Sequence, residues 1–237
     1  MPIHVEAKEG EVAEIVLLPG NPERAKYMAE NFLEDPKLYT TYRKMYGYTG
    51  KFNGVDVSIQ STGMGVPSIA IVLEELKMLG AKTLIRVGTC GALRDDLEQA
   101  DLIIAQSSAT IGSTINKMTS DITLAPPADF ELIKNLYESA IELNMPVYVG
   151  EIATSDFFYG KGEDYAQDLK KMAKRGVLAV EMETAALYNI AAKYGLKAAT
   201  VLTVSDHVFT QIRADKEKIK EGVDKMTRMV LDTATKL

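Results

Sequence analysis

Short, wholly apolar runs alternate along this chain with longer stretches in which apolar positions return every three or four residues. That is the pattern of buried strands interleaved with amphipathic helices. Residues 13–18 (Ala-Glu-Ile-Val-Leu-Leu) read as a buried strand closed by Pro19-Gly20, with a helix opening at Pro22 behind Asn21. Residues 47–61 predict a hairpin, with Tyr48 to Phe52 and Val55 to Ser61 as its arms and Asn53-Gly54 as its turn. A helix over 67–79 follows, with Pro67 in its first turn, Gly80 just past its end, and Ile69, Val72, Leu73, Leu76 and Leu79 on one face. Further strands are predicted at 83–87, 101–106, 147–152, 177–181 and 198–204, and further helices at 128–143, 163–175, 184–194 and about 214–235. This order predicts a single α/β domain over residues 1–237, with a central mixed and largely parallel twisted sheet flanked by helices. A ligand belongs at the C-terminal ends of its strands.

Composition narrows the classes. With 237 residues, 46% of them hydrophobic, the chain can bury one sizeable core and is too short for two comfortable domains. Its 27 Lys+Arg against 33 Asp+Glu leave a net charge of -6, which argues against a general nucleic-acid binder. An anionic substrate must therefore be met by locally placed arginines. Cys90 is the sole cysteine, so an internal disulfide is impossible, and a reducing cytoplasm is the expected location. The opening residues hold no apolar run suited to a signal peptide, and no stretch of about 18 apolar residues predicts a membrane span. No spacing of His, Cys, Asp and Glu reads as a metal site.

Four stretches carry candidate chemistry. In Thr83 to Ala92, an apolar strand is expected to run into a turn in which Gly88 and Gly91 take positive φ and aim backbone N–H groups into a nest for a tetrahedral anion. Thr89 and the donor fork of Arg86 stand beside it. The second is Leu18 to Arg24, where a glycine turn meets a helix N-terminus and Arg24 lies one turn inside. In the third, Leu178 to Ala186, Glu181 and Glu183 flank Met182 where a strand becomes a helix. Either carboxylate can clamp a vicinal diol or answer the helix dipole, and the thioether offers a soft surface to a sugar. The fourth is Thr203 to His207, where burial at a strand end would favour a protonated Asp206 able to donate to a leaving group. Arg43, in the polar connection 40–46, receives no role from spacing alone.

Taken together, Pro19-Gly20-Asn21-Pro22-Glu23-Arg24, Arg86-Val87-Gly88-Thr89-Cys90-Gly91-Ala92, Val180-Glu181-Met182-Glu183 and Val204-Ser205-Asp206 resemble the bacterial-type, hexameric purine nucleoside phosphorylases. The resemblance covers nearly the whole chain. It implies phosphate-dependent cleavage of the N-glycosidic bond of purine ribo- and deoxyribonucleosides, releasing the base and the sugar 1-phosphate. Phosphate is then a co-substrate and no cofactor is needed. It further implies Gly20, Arg24, Arg43, Arg86 and Thr89 at phosphate and His4, Met64, Glu181, Met182 and Glu183 at ribose. Cys90, Gly91, Phe158, Ser205 and Asp206 would line the base, with Asp206 catalytic. Arg43 and His4 would serve the neighbouring subunit's site in a homo-oligomer, a hexamer built as a trimer of dimers.

One departure stands out. Members of that family carry an arginine early in the last helix that closes over the acid. Residues 210–218 here hold only Arg213, too early for that spacing, besides Lys216 and Lys218. Which of the three assists Asp206 is open. Neighbouring readings are set apart by single features. A methylthioadenosine phosphorylase needs an apolar 5′ end, which His4 argues against. A uridine phosphorylase needs an amide and an arginine near 157–159, and residues 155–161 contain neither. A nucleosidase using water has no need of the arginine set. A non-catalytic nucleoside binder on the same scaffold has no need of a poised acid.

Overall fold

The computed structural model describes residues 2–122, 124–160 and 163–237. In chain order its elements are β1 (Ile15–Leu18), α1 (Pro22–Phe32), β2 (Glu34–Thr40), β3 (Gly47–Phe52), β4 (Val55–Gln60), α2 (Val66–Met78), β5 (Thr83–Ala92) and β6 (Leu102–Ile111). There follow α3 (Thr114–Met118), α4 (Phe130–Glu142), β7 (Val147–Ser155), α5 (Glu163–Ala173), β8 (Ala179–Glu181), α6 (Thr184–Tyr194), β9 (Lys197–His207) and α7 (Lys216–Ala234). Local chemistry sets the boundaries. The Asn21 side chain accepts from the Glu23 N–H at 2.9 Å and Pro22 takes the first position of α1. Asn53 and Gly54 both adopt positive φ between β3 and β4, as a two-residue hairpin turn requires. No helix among the described residues is long and apolar enough to cross a membrane.

All the named strands join one mixed sheet, in the order β2-β3-β4-β1-β5-β8-β7-β6-β9. The central pairs β1–β4, β1–β5, β5–β9, β6–β7 and β7–β8 are parallel, while β2–β3, β3–β4, β5–β8 and β6–β9 are antiparallel. Because β5 also pairs with β9, the strands β5, β8, β7, β6 and β9 close into a ring. Period-two alternation splits the core between the two faces of the sheet. Leu17, Ile85 and Val87 pack with Met28, Leu132 and Met226 of α1, α4 and α7, whereas Val16, Leu18 and Leu84 pack with Leu73 and Ile190 of α2 and α6. A third cluster, with Cys90, Ile103, Ile152, Ala179 and Leu202, is drawn from the ring strands.

Four of the five ring strands run past the ends that their apolar runs predict, β8 being the exception. β5 reaches Ala92 rather than 87, β6 Ile111 rather than 106, β7 Ser155 rather than 152, and β9 His207 rather than 204. Their polar extensions bond to one another instead of turning away, as in Ser108 Oγ to Thr154 Oγ1 at 2.8 Å. Two elements went unpredicted. The edge strand β2 carries Asp35 at positive φ and Pro36, and its register with β3 is interrupted by bulges. The single-turn helix α3 is too short for periodicity to register.

Candidate active site

A gap in the hydrogen-bond ladder makes the site. Strand β9 follows one edge of β5 from Thr83 to Ala92. On the other edge β1 ends at Leu18, opposite Arg86, and β8 begins only at Gly91. Between them the edge of β5 from Val87 to Cys90 has no strand partner among the described residues. The loops after β1 and β4 converge there, with Thr62 N–H donating to Pro19 O and Gly63 N–H to Gly20 O, both at 3.0 Å. Gly88 and Gly91 are not at positive φ, so the expected turn-type nest is absent. Their lack of a side chain serves close approach instead. A methyl group on Gly88 would stand 2.7 Å from Arg86 Nη2, and one on Gly91 2.7 Å from Val208 Cγ2 and 3.1 Å from Asp206 Oδ2.

Arg86 therefore folds back over Gly88 into the notch, and only 3% of it is exposed. Its Nε donates to Glu181 Oε2 at 2.9 Å and its Nη2 meets Glu183 Oε2 at 2.6 Å. Its Nη1 is buried with no partner among the described residues, 4.0 Å from where a methyl on Gly20 would be. Burial works against the charged form, but Glu183 and Glu181 outweigh it and hold Arg86 above the ordinary arginine range. Arg24 is the converse case. No carboxylate among the described residues pairs with it, and burial together with the Arg86 charge lowers its pKa to about 10. Two guanidinium groups thus face one recess with donors to spare, an arrangement relieved by an anion between them. Thr89, half-buried on the open edge of β5, completes this end.

The two glutamates divide the work differently from the expectation of a shared diol clamp. Glu181 is sealed from solvent, and its oxygens accept from Arg86 Nε, Thr154 Oγ1 (2.5 Å), Glu183 N–H (2.9 Å) and Thr184 N–H (3.0 Å). It holds the arginine and caps α6, and no lone pair is left over for a direct ribose contact. Glu183 accepts from Gly65 N–H at 2.5 Å, which ties it to the loop after β4 where Gly63 and Gly65 take positive φ. Met64 at the tip of that loop is 82% exposed, and half-buried Met182 lies close to Gly65.

At the end of β9, Ser205 Oγ is 3.2 Å from Cys90 O and donates to Asp206 Oδ1 at 2.6 Å. Asp206 is half-buried, short of the burial expected at that strand end, and β9 doubles back at once. His207 N–H donates to Ile212 O, Ala214 N–H to Ser205 O, and Asp206 pairs with Arg213 across an antiparallel bridge. Directly opposed residues share a face, so Arg213 stands on the Asp206 side. Lys218, by contrast, is paired with Glu221 at 3.0 Å. Cys90 is buried, with its thiol pushed up by burial and by Asp206.

Three candidates lie apart. His4 is held by Glu75 at 2.8 Å, with its ring edge-on to Tyr42 at 6.1 Å. Arg43 is exposed, stacks on the same Tyr42 at 5.6 Å, and takes φ 51, with Lys44 at φ 61 beside it. Neither touches Arg86 or Asp206. Phe158 is 65% exposed beyond β7 and meets Tyr159 at 4.9 Å, so within the chain it packs on neither Ser205 nor Asp206. Of the 155–161 stretch, Lys161 lies outside the described residues.

A family model described as the phosphorylase superfamily matches residues 14–236. The chain belongs to the phosphorylase superfamily. A purine nucleoside phosphorylase DeoD-type of Bacillus cereus (strain ZK / E33L) is 49% identical over 236 residues, covering 99% of each chain. Proteins of the same description from Bacillus thuringiensis (strain Al Hakam) and Bacillus mycoides (strain KBAB4) match at the same identity and coverage. In this phosphorylase-superfamily chain two site components escape a reading by residue type. Thr154 lies beyond the predicted end of its strand, yet it donates to Glu181 and accepts from Ala185 N–H at 2.9 Å. The other is the pair Gly63 and Gly65 flanking the expected ribose residue Met64, signalled by their place after an apolar strand, a pattern of the same kind as Pro19-Gly20.

Proposed function

We propose that this chain is a purine nucleoside phosphorylase, using phosphate to cleave the N-glycosidic bond of purine ribo- and deoxyribonucleosides. The observation that carries the proposal is the buried Arg86, whose Nη1 faces the Gly20 loop beside Arg24, with no partner for Nη1 and no carboxylate on Arg24 among the described residues. Gly20, Arg24, Arg86 and Thr89 hold phosphate against C1′ of the sugar. A phosphate oxygen bonds to C1′ as the bond to the purine nitrogen breaks, and that electron pair leaves on the base. The positive charge that develops on the sugar lies next to the anion. Asp206 gives its proton to purine N7, so the base departs neutral. Cys90, Gly91 and Ser205 line the purine, and Phe158 covers it.

Glu183 receives the ribose hydroxyls, with Met64 and Met182 against the sugar. Glu181 acts behind them as the carboxylate that positions Arg86. Arg213 is the basic residue that assists Asp206, a reading supported by their cross-strand pairing. His4 and Arg43 complete the site of a neighbouring copy, supported by their joint placement around Tyr42, where neither contacts Arg86 among the described residues. On this reading the protein is a homo-oligomer of at least two copies, which the family resemblance extends to a hexamer built as a trimer of dimers, working in the cytoplasm in nucleoside salvage. Phosphate is consumed as a substrate, and no cofactor takes part. The test is base release from inosine, guanosine, adenosine, 5′-methylthioadenosine and uridine, with and without phosphate. Release from the purine nucleosides only when phosphate is present is the expected result, and equal release without phosphate overturns the proposal.

A further inference from the structure

Glu75 is an acid inside α2 to which the reaction above gives no role. Its side chain is 9% exposed, and no lysine or arginine among the described residues pairs with it. What it holds is the N-terminal segment. Oε2 accepts from His4 N–H at 2.8 Å and Val5 N–H at 2.6 Å, and Oε1 meets His4 Nδ1 at 2.8 Å. Burial pushes this carboxyl up, but the bonds donated by Val5, His4 and Ile3 outweigh it and hold Glu75 below the ordinary carboxylate range.

A carboxylate has only acceptors to offer, so the shared proton belongs to Nδ1. In the neutral ring this leaves Nε2 as a bare acceptor. The backbone bonds pin Cα of His4 to the same carboxylate that pins the ring, while the edge of Tyr42 abuts the ring at an interplanar angle of 68°. The imidazole is thereby fixed in tautomer and in plane, with its second nitrogen free to face a ligand.

We propose that Glu75 is a positioning residue that fixes His4 in its Nδ1–H form, making the 5′ end of the ribose subsite an acceptor that selects nucleosides bearing a 5′-hydroxyl. This rests on the reading that His4 reaches the ribose of a neighbouring site. A 5′-hydroxyl donates to Nε2. A hydrogen or a thioether at the same position has no proton to give and leaves the nitrogen unpaired against the substrate.

The test measures the ratio of kcat/KM for inosine over 5′-O-methylinosine, whose ether oxygen can accept a hydrogen bond but not donate one, in the intact enzyme, in His4→Ala, in Glu75→Gln and in the double variant. A glutamine can turn its amide N–H toward Nδ1 and drive the proton to Nε2, which then donates to a hydroxyl or to an ether alike. Glu75→Gln is therefore expected to lower the ratio about tenfold, the scale of one hydrogen bond, as the ether gains a bond that the hydroxyl merely reverses. The double variant should be no worse than His4→Ala. Equal losses on both substrates, or an unchanged ratio in Glu75→Gln when His4→Ala lowers it, overturn the role of Glu75 alone. An unchanged ratio in His4→Ala overturns the ribose reading of His4 and the selection with it. Should Glu75→Gln fail to fold, imidazole nitrogen NMR on the unaltered, histidine-labelled protein decides, since the chain has 2 histidines and His4→Ala assigns the signals. The Nδ1–H pattern for His4 is expected, and an Nε2–H pattern overturns the proposal.

Discussion

Arg86 reaches its carboxylates only because residue 88 has no side chain. A methyl there would stand 2.7 Å from Nη2 and 2.8 Å from the guanidinium carbon. Gly88→Ala should therefore displace the guanidinium while the apolar strand around it persists. Misplacement on the scale of an ångström can cost about 10²-fold in rate. The expected outcome is a loss of that order in kcat/KM for phosphate with a near-native circular dichroism spectrum, and unchanged phosphate kinetics would exclude the fold-back of Arg86 as the phosphate contact. Asp206 makes a second residue-scale claim. If it donates to N7, Asp206→Asn should lower kcat on inosine by about 10² to 10⁴, the range for general acid catalysis. A nucleoside already alkylated at N7 should lose little, because its base leaves without a proton. Parallel losses on both substrates would assign Asp206 to binding rather than acid catalysis. At this scale the chemistry was legible as residue types: an arginine among small residues, two acids at a strand end, one at the next. The partition between Glu181 and Glu183 was not. It depends on a chain bend that lays the Glu183 N–H onto the Glu181 carboxylate, a through-space fact with no trace in spacing.

Among the elements, apolar runs located the strands and misjudged their lengths, for one physical reason. A strand's apolar content reports burial against helices, whereas its continuation as a strand reports a partner for its backbone. β5, β6, β7 and β9 keep such partners past their apolar stretches because the ring closes there. Thr89, Cys90, Thr154, Ser205 and Asp206 lie in those extensions, just beyond the predicted strand ends, whereas Arg86 and Glu181 fall within predicted strands. β2 was hidden by Asp35 and Pro36, which suit an exposed edge and spoil alternation. The N-terminal segment offers an element-scale prediction. Glu75 is held below its ordinary value of 4.5, so the stability it lends is fully present above that pH and is lost as pH falls through the lower folded value. The amide proton shifts of His4 and Val5 should accordingly move together, in a single step whose midpoint lies below pH 4.5. A midpoint above 4.5 would show that the carboxylate is not held by those bonds.

For the whole molecule, His4 and Arg43 meet at Tyr42 and neither contacts Arg86 or Asp206 among the described residues. A concavity of about 790 Å³ lies elsewhere again, lined by Glu74, Leu124 and Lys193 between α2, α6 and the segment after α3, and contains none of the phosphate-site arginines. Concavity in one chain is therefore a poor guide to this site, because on the proposed reading part of its wall comes from a second copy. That reading makes a prediction which no single-chain arrangement shares. Take Arg43→Ala, intact at Asp206, and Asp206→Asn, intact at Arg43; each alone should be nearly inactive. In a two-fold pair every site combines Asp206 of one copy with Arg43 of the other. A mixed pair then concentrates both lesions in one site and leaves the other complete. Random reassortment after co-refolding or co-expression should restore about a quarter of wild-type activity, half the pairs being mixed and half their sites whole. Were both residues to act within their own chain, every site would carry one lesion or the other. Mixing would then recover nothing beyond the average of the two parents.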